Sequence, residues 1–236
     1  MRKFIHTVTV TGADDSIRPE SILGIAAEYP FVEFGLLSSA KSEGRPRFPS
    51  KLWLRKLRLL SAASDVKLKL SVHLCGDGVR QILQGIIPTS FYPFRWMVSR
   101  LQMNTHGMKH KVITGPLVKM MLEMEDVEFI FQYDNVNVEG LNASRSLKNV
   151  SALFDVSHGS GSLPKSWPGL LDGVRCGYAG GLSPENLAEE ITKIEQVVPE
   201  GATIWIDAET HLRDNQDKFS PVLVRAFLEA AKPWVI

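Results

Sequence analysis

The chain is poor in the features that announce many protein classes. Its 236 residues include only two cysteines, Cys75 and Cys176, a hundred residues apart, with no Cys-X-X-Cys and no Cys/His cluster at metal spacing. A disulfide-stapled or zinc-stapled scaffold is thereby excluded, and a reducing compartment is implied. No apolar run approaches the roughly 20 residues needed to cross a bilayer. Behind Met1-Arg2-Lys3 the apolar Phe4-Ile5 gives way at once to His6 and alternating threonines, so no signal-peptide core is present. The formal net charge is +1, with acidic and basic residues interspersed, so no basic face for nucleic acid is expected. No Pro/Gly/Ser-rich linker or low-complexity segment divides the chain, and no Gly-X-Gly-X-X-Gly follows the first strand-like segment. The chain therefore reads as one soluble, cytoplasmic domain over residues 1–236. It is expected to be a monomer or homodimer acting on a small molecule, with no nucleic-acid or membrane partner and no cofactor.

What is present is a regular alternation of strand and helix signals, the pattern of a parallel sheet with crossover helices. Strands are predicted near Phe4–Thr11, Phe31–Leu36, Lys67–Leu74, Val98–Asn104, Val127–Tyr133, Ser151–Val156, Gly173–Gly177 and Thr203–Asp207. Helices are predicted to begin near Pro19, Ser50, Gly78, Gly115, Glu139, Lys165, Pro184 and Ser220, and Pro88 to Phe94 reads as an ordered loop entering the fourth strand. Eight strand–helix units in a chain of about 250 residues is the size of an α/β (β/α)8 TIM barrel. A Met-rich stretch, Met120-Met121-Leu122-Met124, has methionines at helical spacing and fits either the core or a subunit contact.

Residue alternation along each strand gives a second signal, because one parity faces the helices and the other the barrel interior. With the apolar set outward, the interior receives Thr9, Thr11, Glu33, Ser71, His73, Cys75, Gln102, Asn104, Gln132, Asp134, Asp155, Arg175, Asp207 and Glu209. Every strand contributes a polar group. Buried charge without a partner is costly, so the pattern implies a polar pocket, with ion pairs such as Arg100 or Arg175 to Glu33 or Asp207 deeper in the barrel. Purely structural ion pairs are the alternative. His73, His106, His158 and His211 all fall at or past strand C-termini, near Asp134, Asp155 and Glu209. A divalent metal is conceivable there, although no His-X-His or His-Glu-X-X-His spacing supports one.

The segment Ala179-Gly180-Gly181-Leu182-Ser183-Pro184-Glu185-Asn186 places bare backbone between the seventh strand and the next helix, the outline of a phosphate or carboxylate cradle. A tight turn with a helix cap is its simpler reading. With Leu153-Phe154-Asp155-Val156-Ser157-His158-Gly159-Ser160-Gly161, Trp167 and Ile206-Asp207-Ala208-Glu209, it resembles the phosphoribosylanthranilate isomerase family, the Amadori-rearranging barrel of tryptophan biosynthesis. The resemblance covers about the last ninety residues by motif and the first half by outline. It implies a general acid at Asp155, substrate phosphate at Gly180 and Gly181, and a carboxylate-binding arginine at Arg47. Two departures accompany it. Thr11 stands where the family has its cysteine base, and a threonine hydroxyl does not ionise usefully near neutral pH. Glu209-Thr210-His211 replaces small phosphate-site residues, and a carboxylate repels a phosphate dianion.

The expectation is therefore an isomerase-like barrel enzyme working on a small polar or sugar-phosphate metabolite. Asp155 is its acid and Glu209 or Asp207 its base. Arg47, His73, Gln102, Asn104, Asp134, Gly180, Gly181 and His211 are the binding residues. A metal-dependent lyase or hydrolase and a non-catalytic ligand-binding relative are the alternatives.

Overall fold

A computed structural model describes residues 2–95, 97–105, 109–133, 138–155, 157 and 160–236. Eight parallel strands close into a barrel in chain order, β1 (Ile5–Thr11), β2 (Val32–Ser38), β3 (Leu70–Leu74), β4 (Arg100–Met103), β5 (Glu128–Tyr133), β6 (Val150–Asp155), β7 (Arg175–Ala179) and β8 (Ile204–Ala208), with β8 pairing back to β1. This is the TIM barrel that the strand–helix alternation predicts, in a single domain. The helices are α1 (Pro19–Glu28), α2 (Lys51–Ala62), α3 (Asp77–Ile82), α4 (Thr114–Glu123), α5 (Val138–Ser144), α6 (Leu187–Val197) and α7 (Pro221–Ala231). Local chemistry sets several of their starts. Ser50 and Ser220 cap α2 and α7 by accepting from the amides of Trp53 and Leu223, and proline occupies the first turn of α1 and α7. Among the described residues no helix is long and apolar enough to cross a membrane.

The helix predicted from Lys165 is absent. Residues 160–174 contain Pro164 and Pro168, which lack the amide a helix needs, and tertiary bonds hold the segment in a non-helical path. Trp167 donates its indole N–H to Glu190 (2.8 Å), and Tyr178 donates to the Pro168 carbonyl (2.7 Å). The helix predicted from Pro184 begins three residues later, at Leu187, because Ser183 and Asn186 form a turn through reciprocal side-chain bonds. In the Met-rich stretch Met120, Met121 and Met124 are buried in the core and Leu122 is exposed. The outer face of α2 presents Lys51, Arg55, Lys56 and Arg58 together, a local departure from the even charge distribution.

The main core lies between barrel and helices, where Val8, Val10, Phe34, Leu36, Val72 and Leu74 point outward as the alternation predicts. The interior divides in two. Around β5 to β8 it holds a small apolar group, Ile130, Leu153, Ala179 and Trp205. Gly177 makes room for that indole, since a Cβ there would lie 2.1 Å from the Trp205 ring. The remainder is polar. Near the N-terminal mouth Glu33 accepts from Thr9 (2.9 Å) and from Arg100 (2.8 Å), so this expected ion pair forms. Arg175 does not reach Glu33 or Asp207. As the first residue of β7 it is half exposed at the N-terminal mouth, paired with Glu128 at 3.0 Å.

Candidate active site

At the C-terminal mouth a cavity of about 300 Å³ is lined by Arg47, His73, Gln102, Asn104, Asp155, Gly180, Gly181, Asp207, Glu209 and His211, with Cys75 and Gln132 among the other walls. These residues come from the loop after β2 and from the ends of β3, β4, β6, β7 and β8. Parallel register sets their level: Asp155 pairs with Ala179, and Ala179 with Asp207, so the two aspartates stand two strands apart on the same ring. Asp134, His106 and His158 lie outside the described residues. Among the described residues no three His, Cys, Asp or Glu side chains converge to hold a metal ion.

Asp207 is buried at the end of β8, where it accepts a hydrogen bond from the Thr11 hydroxyl (2.7 Å). Burial pushes its carboxyl up to about 8, against the Thr11 bond, and the charges of Glu209, Asp155 and Glu33 add to the rise. The His73 ring nitrogen Nδ1 lies 3.9 Å from the other carboxyl oxygen. This is not an ion pair at neutral pH, because burial and Arg100 hold His73 down at about 3. The neutral ring is fixed by its neighbours: the Gln102 amide, which also donates to Asn104 (2.9 Å), donates to Nδ1 (3.2 Å), leaving Nε2–H for Ser71 (3.1 Å). Cys75 is no nucleophile near neutral pH, its thiol being pushed up to about 12 by burial.

Asp155 has a different environment. Its carboxylate accepts from the Ser157 amide (3.0 Å), the Ser157 hydroxyl (2.7 Å) and the Gln132 amide (2.9 Å). The Gln132 carbonyl oxygen is held by the Thr105 N–H (2.7 Å), which fixes the NH₂ end toward Asp155. All three bonds use Asp155 as the acceptor.

The third carboxyl, Glu209, pairs with Arg47 at 2.9 Å. Burial raises its pKa, while Arg47 and then Arg213 oppose the rise. Arg47 sits at φ +74° in the loop after β2, its amide held by Asp14 and its guanidinium forked onto Asp217 through Nε (3.1 Å) and Nη2 (2.9 Å). Behind this pair lies Arg213, with its side chain 1% exposed, bonded to the Gly12 carbonyl, to Asp14 (2.7 Å) and to Asp217 (2.8 Å). Arg213 and Asp14 thus tie the loops after β1, β2 and β8 into one rim. Sequence reasoning did not single them out. The available signal was an arginine and an aspartate, Arg213 and Asp217, four residues apart just beyond β8.

On the opposite wall Gly180 and Gly181 have φ of +106° and +70°. Their missing side chains make space for the protein's own backbone: a Cβ on Gly181 would lie 2.5 Å from the Leu163 nitrogen, and one on Gly180 would lie 3.3 Å from the Ser162 carbonyl oxygen. The Ser183 amide is held by Asn186 Oδ1 (2.8 Å), and the His211 ring donates through Nε2 to the Gly161 carbonyl (2.9 Å).

No protein-family model matches the sequence, and no curated protein does. Solved structures match it in fold. A protein described as TrpF, from Jonesia denitrificans, is 17% identical, with 97% of each chain covered and a TM-score of 0.60. The phosphoribosyl anthranilate isomerase of Thermus thermophilus is 15% identical over 96% of this chain and 98% of its own, with a TM-score of 0.63. A protein described as KDPGal is 11% identical over 99% of this chain and 98% of its own, at 0.54. At such identities the likeness is one of fold, and activity has to be argued from the site.

Proposed function

We propose that the protein is an isomerase-like barrel enzyme that moves protons between carbon and oxygen of a small polyhydroxylated metabolite, in the manner of an Amadori or aldose–ketose rearrangement. One observation carries the reading: two carboxyl groups, Asp155 and Asp207, face one cavity in unlike environments. Asp207 is desolvated and holds its proton to about 8, while Asp155 sits among three donors. Carboxyl groups divided in this way take opposite roles in proton transfer. Asp207 gives its proton to a substrate oxygen as the C–O bond opens or the carbonyl polarises, and Asp155 removes a proton from the adjacent carbon. At the enol stage Asp155 delivers its proton to the neighbouring carbon and Asp207 takes one from the enol hydroxyl, which becomes the new carbonyl, so the isomerisation is complete and both carboxyl groups are restored.

This assignment inverts the roles implied by the family resemblance, in which Asp155 is the acid. It also accounts for Thr11, whose hydroxyl orients Asp207 instead of acting on substrate. The fold likeness to the Thermus thermophilus isomerase supplies the first substrate to try. Turnover of phosphoribosylanthranilate and of a panel of aldoses and N-glycosylamines would be measured for wild type, Asp155→Asn and Asp207→Asn. Either substitution is expected to lower turnover by about 10²-fold or more. With Asp207 as the acid, kcat/KM falls as pH rises through about 8. A rate that climbs through that pH assigns Asp207 as the base, and wild-type turnover in both variants overturns the reading.

A further inference from the structure

Among the described residues the cavity is rich in acceptors and its cationic side chains are already engaged. Three carboxyl groups, Asp155, Asp207 and Glu209, line it with the side-chain amides of Gln102 and Asn104. Arg47, the one arginine in the lining, has all three guanidinium nitrogens occupied, by Asp217 on Nε and Nη2 and by Glu209 and Thr210 on Nη1. His211 gives its Nε2–H to the Gly161 carbonyl. At the glycine turn the Ser183 amide is taken by Asn186, and the space beside Gly181 is filled by residues Ser162 and Leu163. A phosphate dianion drawing on the lining arginine would have to break Arg47 away from one of its carboxylate partners and then lie beside Glu209. Hydroxyl and ammonium groups face no such obstacle, since they donate to carboxylates and amide oxygens directly.

Building on the isomerase reading, we infer that the substrate is not phosphorylated, that its far end carries hydroxyl or amino groups, and that Glu209 enforces this choice by occupying Arg47 and placing a carboxylate where an anion would otherwise sit. Glu209 is thus a specificity-determining residue. The motif that resembles a phosphate cradle serves here as a close-packed contact between the loops after β6 and β7.

The test is a binding measurement on the full chain, independent of turnover, so it remains decisive if the assignment of Asp155 and Asp207 fails. Inorganic phosphate and D-ribose 5-phosphate are titrated calorimetrically near pH 7.5 into wild type, Glu209→Gln and the double variant Glu209→Gln/Arg47→Met. Circular dichroism and melting temperature confirm that each protein is folded. Wild type is expected to show no saturable binding at millimolar concentrations. Glu209→Gln, which keeps the side-chain shape and releases Arg47 Nη1, is expected to bind both probes at least about tenfold more tightly, as removal of one close negative charge predicts. The double variant is expected to lose the gain. Wild type binding phosphate as tightly as Glu209→Gln overturns the inference, and so does a Glu209→Gln protein that gains nothing.

Discussion

Replacing Asp207 by asparagine should make the protein more stable and less active, with a pH signature that identifies the cause. The wild-type carboxyl stands at about 8 in the folded protein against 3.8 for an ordinary aspartate. Between those two pH values the folded chain holds a proton that the unfolded chain has lost, so wild-type stability falls as pH rises through the interval and levels off above it. At about 1.4 kcal/mol per pH unit the full interval corresponds to a cost on the order of 6 kcal/mol. Asparagine has the shape of the neutral acid and keeps an oxygen for the Thr11 hydroxyl, but it never ionises. The stability difference, Asp207→Asn minus wild type, should be near zero at about pH 4, grow by about 1.4 kcal/mol per pH unit until about pH 8, and stay constant beyond. Urea unfolding followed by tryptophan fluorescence at several pH values measures it, and other titrating groups cancel in the comparison. Parallel curves for the two proteins from acid to alkaline pH would refute the argument that Asp207 is held neutral by burial.

Two further outcomes follow from neighbouring contacts. Arg213→Met leaves Asp14 without its buried cation and the Gly12 carbonyl without its donor, and should destabilise the chain by roughly 3–5 kcal/mol in urea unfolding. Arg213→Lys should recover only part of this, because one ammonium cannot reproduce a fork that reaches three partners. Thr11→Val removes the hydrogen bond that favours ionised Asp207, so the alkaline limb of the pH–rate profile should move above about 8. An unmoved limb would assign it to a different group.

The barrel was legible in the sequence because strand periodicity reports directly which side chains face the helices. It could not report depth. Arg175 has the right parity for the interior, but as the first residue of its strand it sits at the solvent-facing mouth, where Glu128 meets it. The missing sixth helix was only partly readable: Pro164 and Pro168 speak against it in the sequence, but the contacts to Glu190 and Tyr178 that hold residues 160–174 lie outside the segment. The rim was hidden in the same way, since Arg213 and its partner Gly12 are separated by most of the chain. Residue type also identified the carboxyl groups of the cavity, and the family resemblance ordered them with Asp155 as acid, the reverse of the order proposed from their burial and donors. Asp155 and Asp207 differ in burial and donors, and those properties exist only once eight strands have closed.

The two ends of the barrel interior show why the acidic cluster at the mouth reads as a site and the charges at the floor do not. At the floor the signs alternate: Glu33 meets Arg100 at 2.8 Å, Arg100 lies 3.3 Å from Glu128, and Glu128 meets Arg175 at 3.0 Å. The Arg100 guanidinium also lies over the Trp205 ring at 4.4 Å. Each charge there has an opposite neighbour, which is what folding alone requires of groups taken out of water. At the mouth three carboxyl groups share one lining arginine, and that arginine is already bound to Asp217. Such an arrangement lowers stability, and an apolar residue at position 207 would relieve it. A buried acid that costs the fold several kcal/mol and faces an open cavity is difficult to explain by packing, whereas a proton held near the working pH beside a second carboxylate is what proton transfer needs. The same imbalance also disfavours an anionic ligand, so under the proposed function the proton held on Asp207 and the substrate restriction at Glu209 have one electrostatic origin, the surplus of carboxyl groups at the mouth.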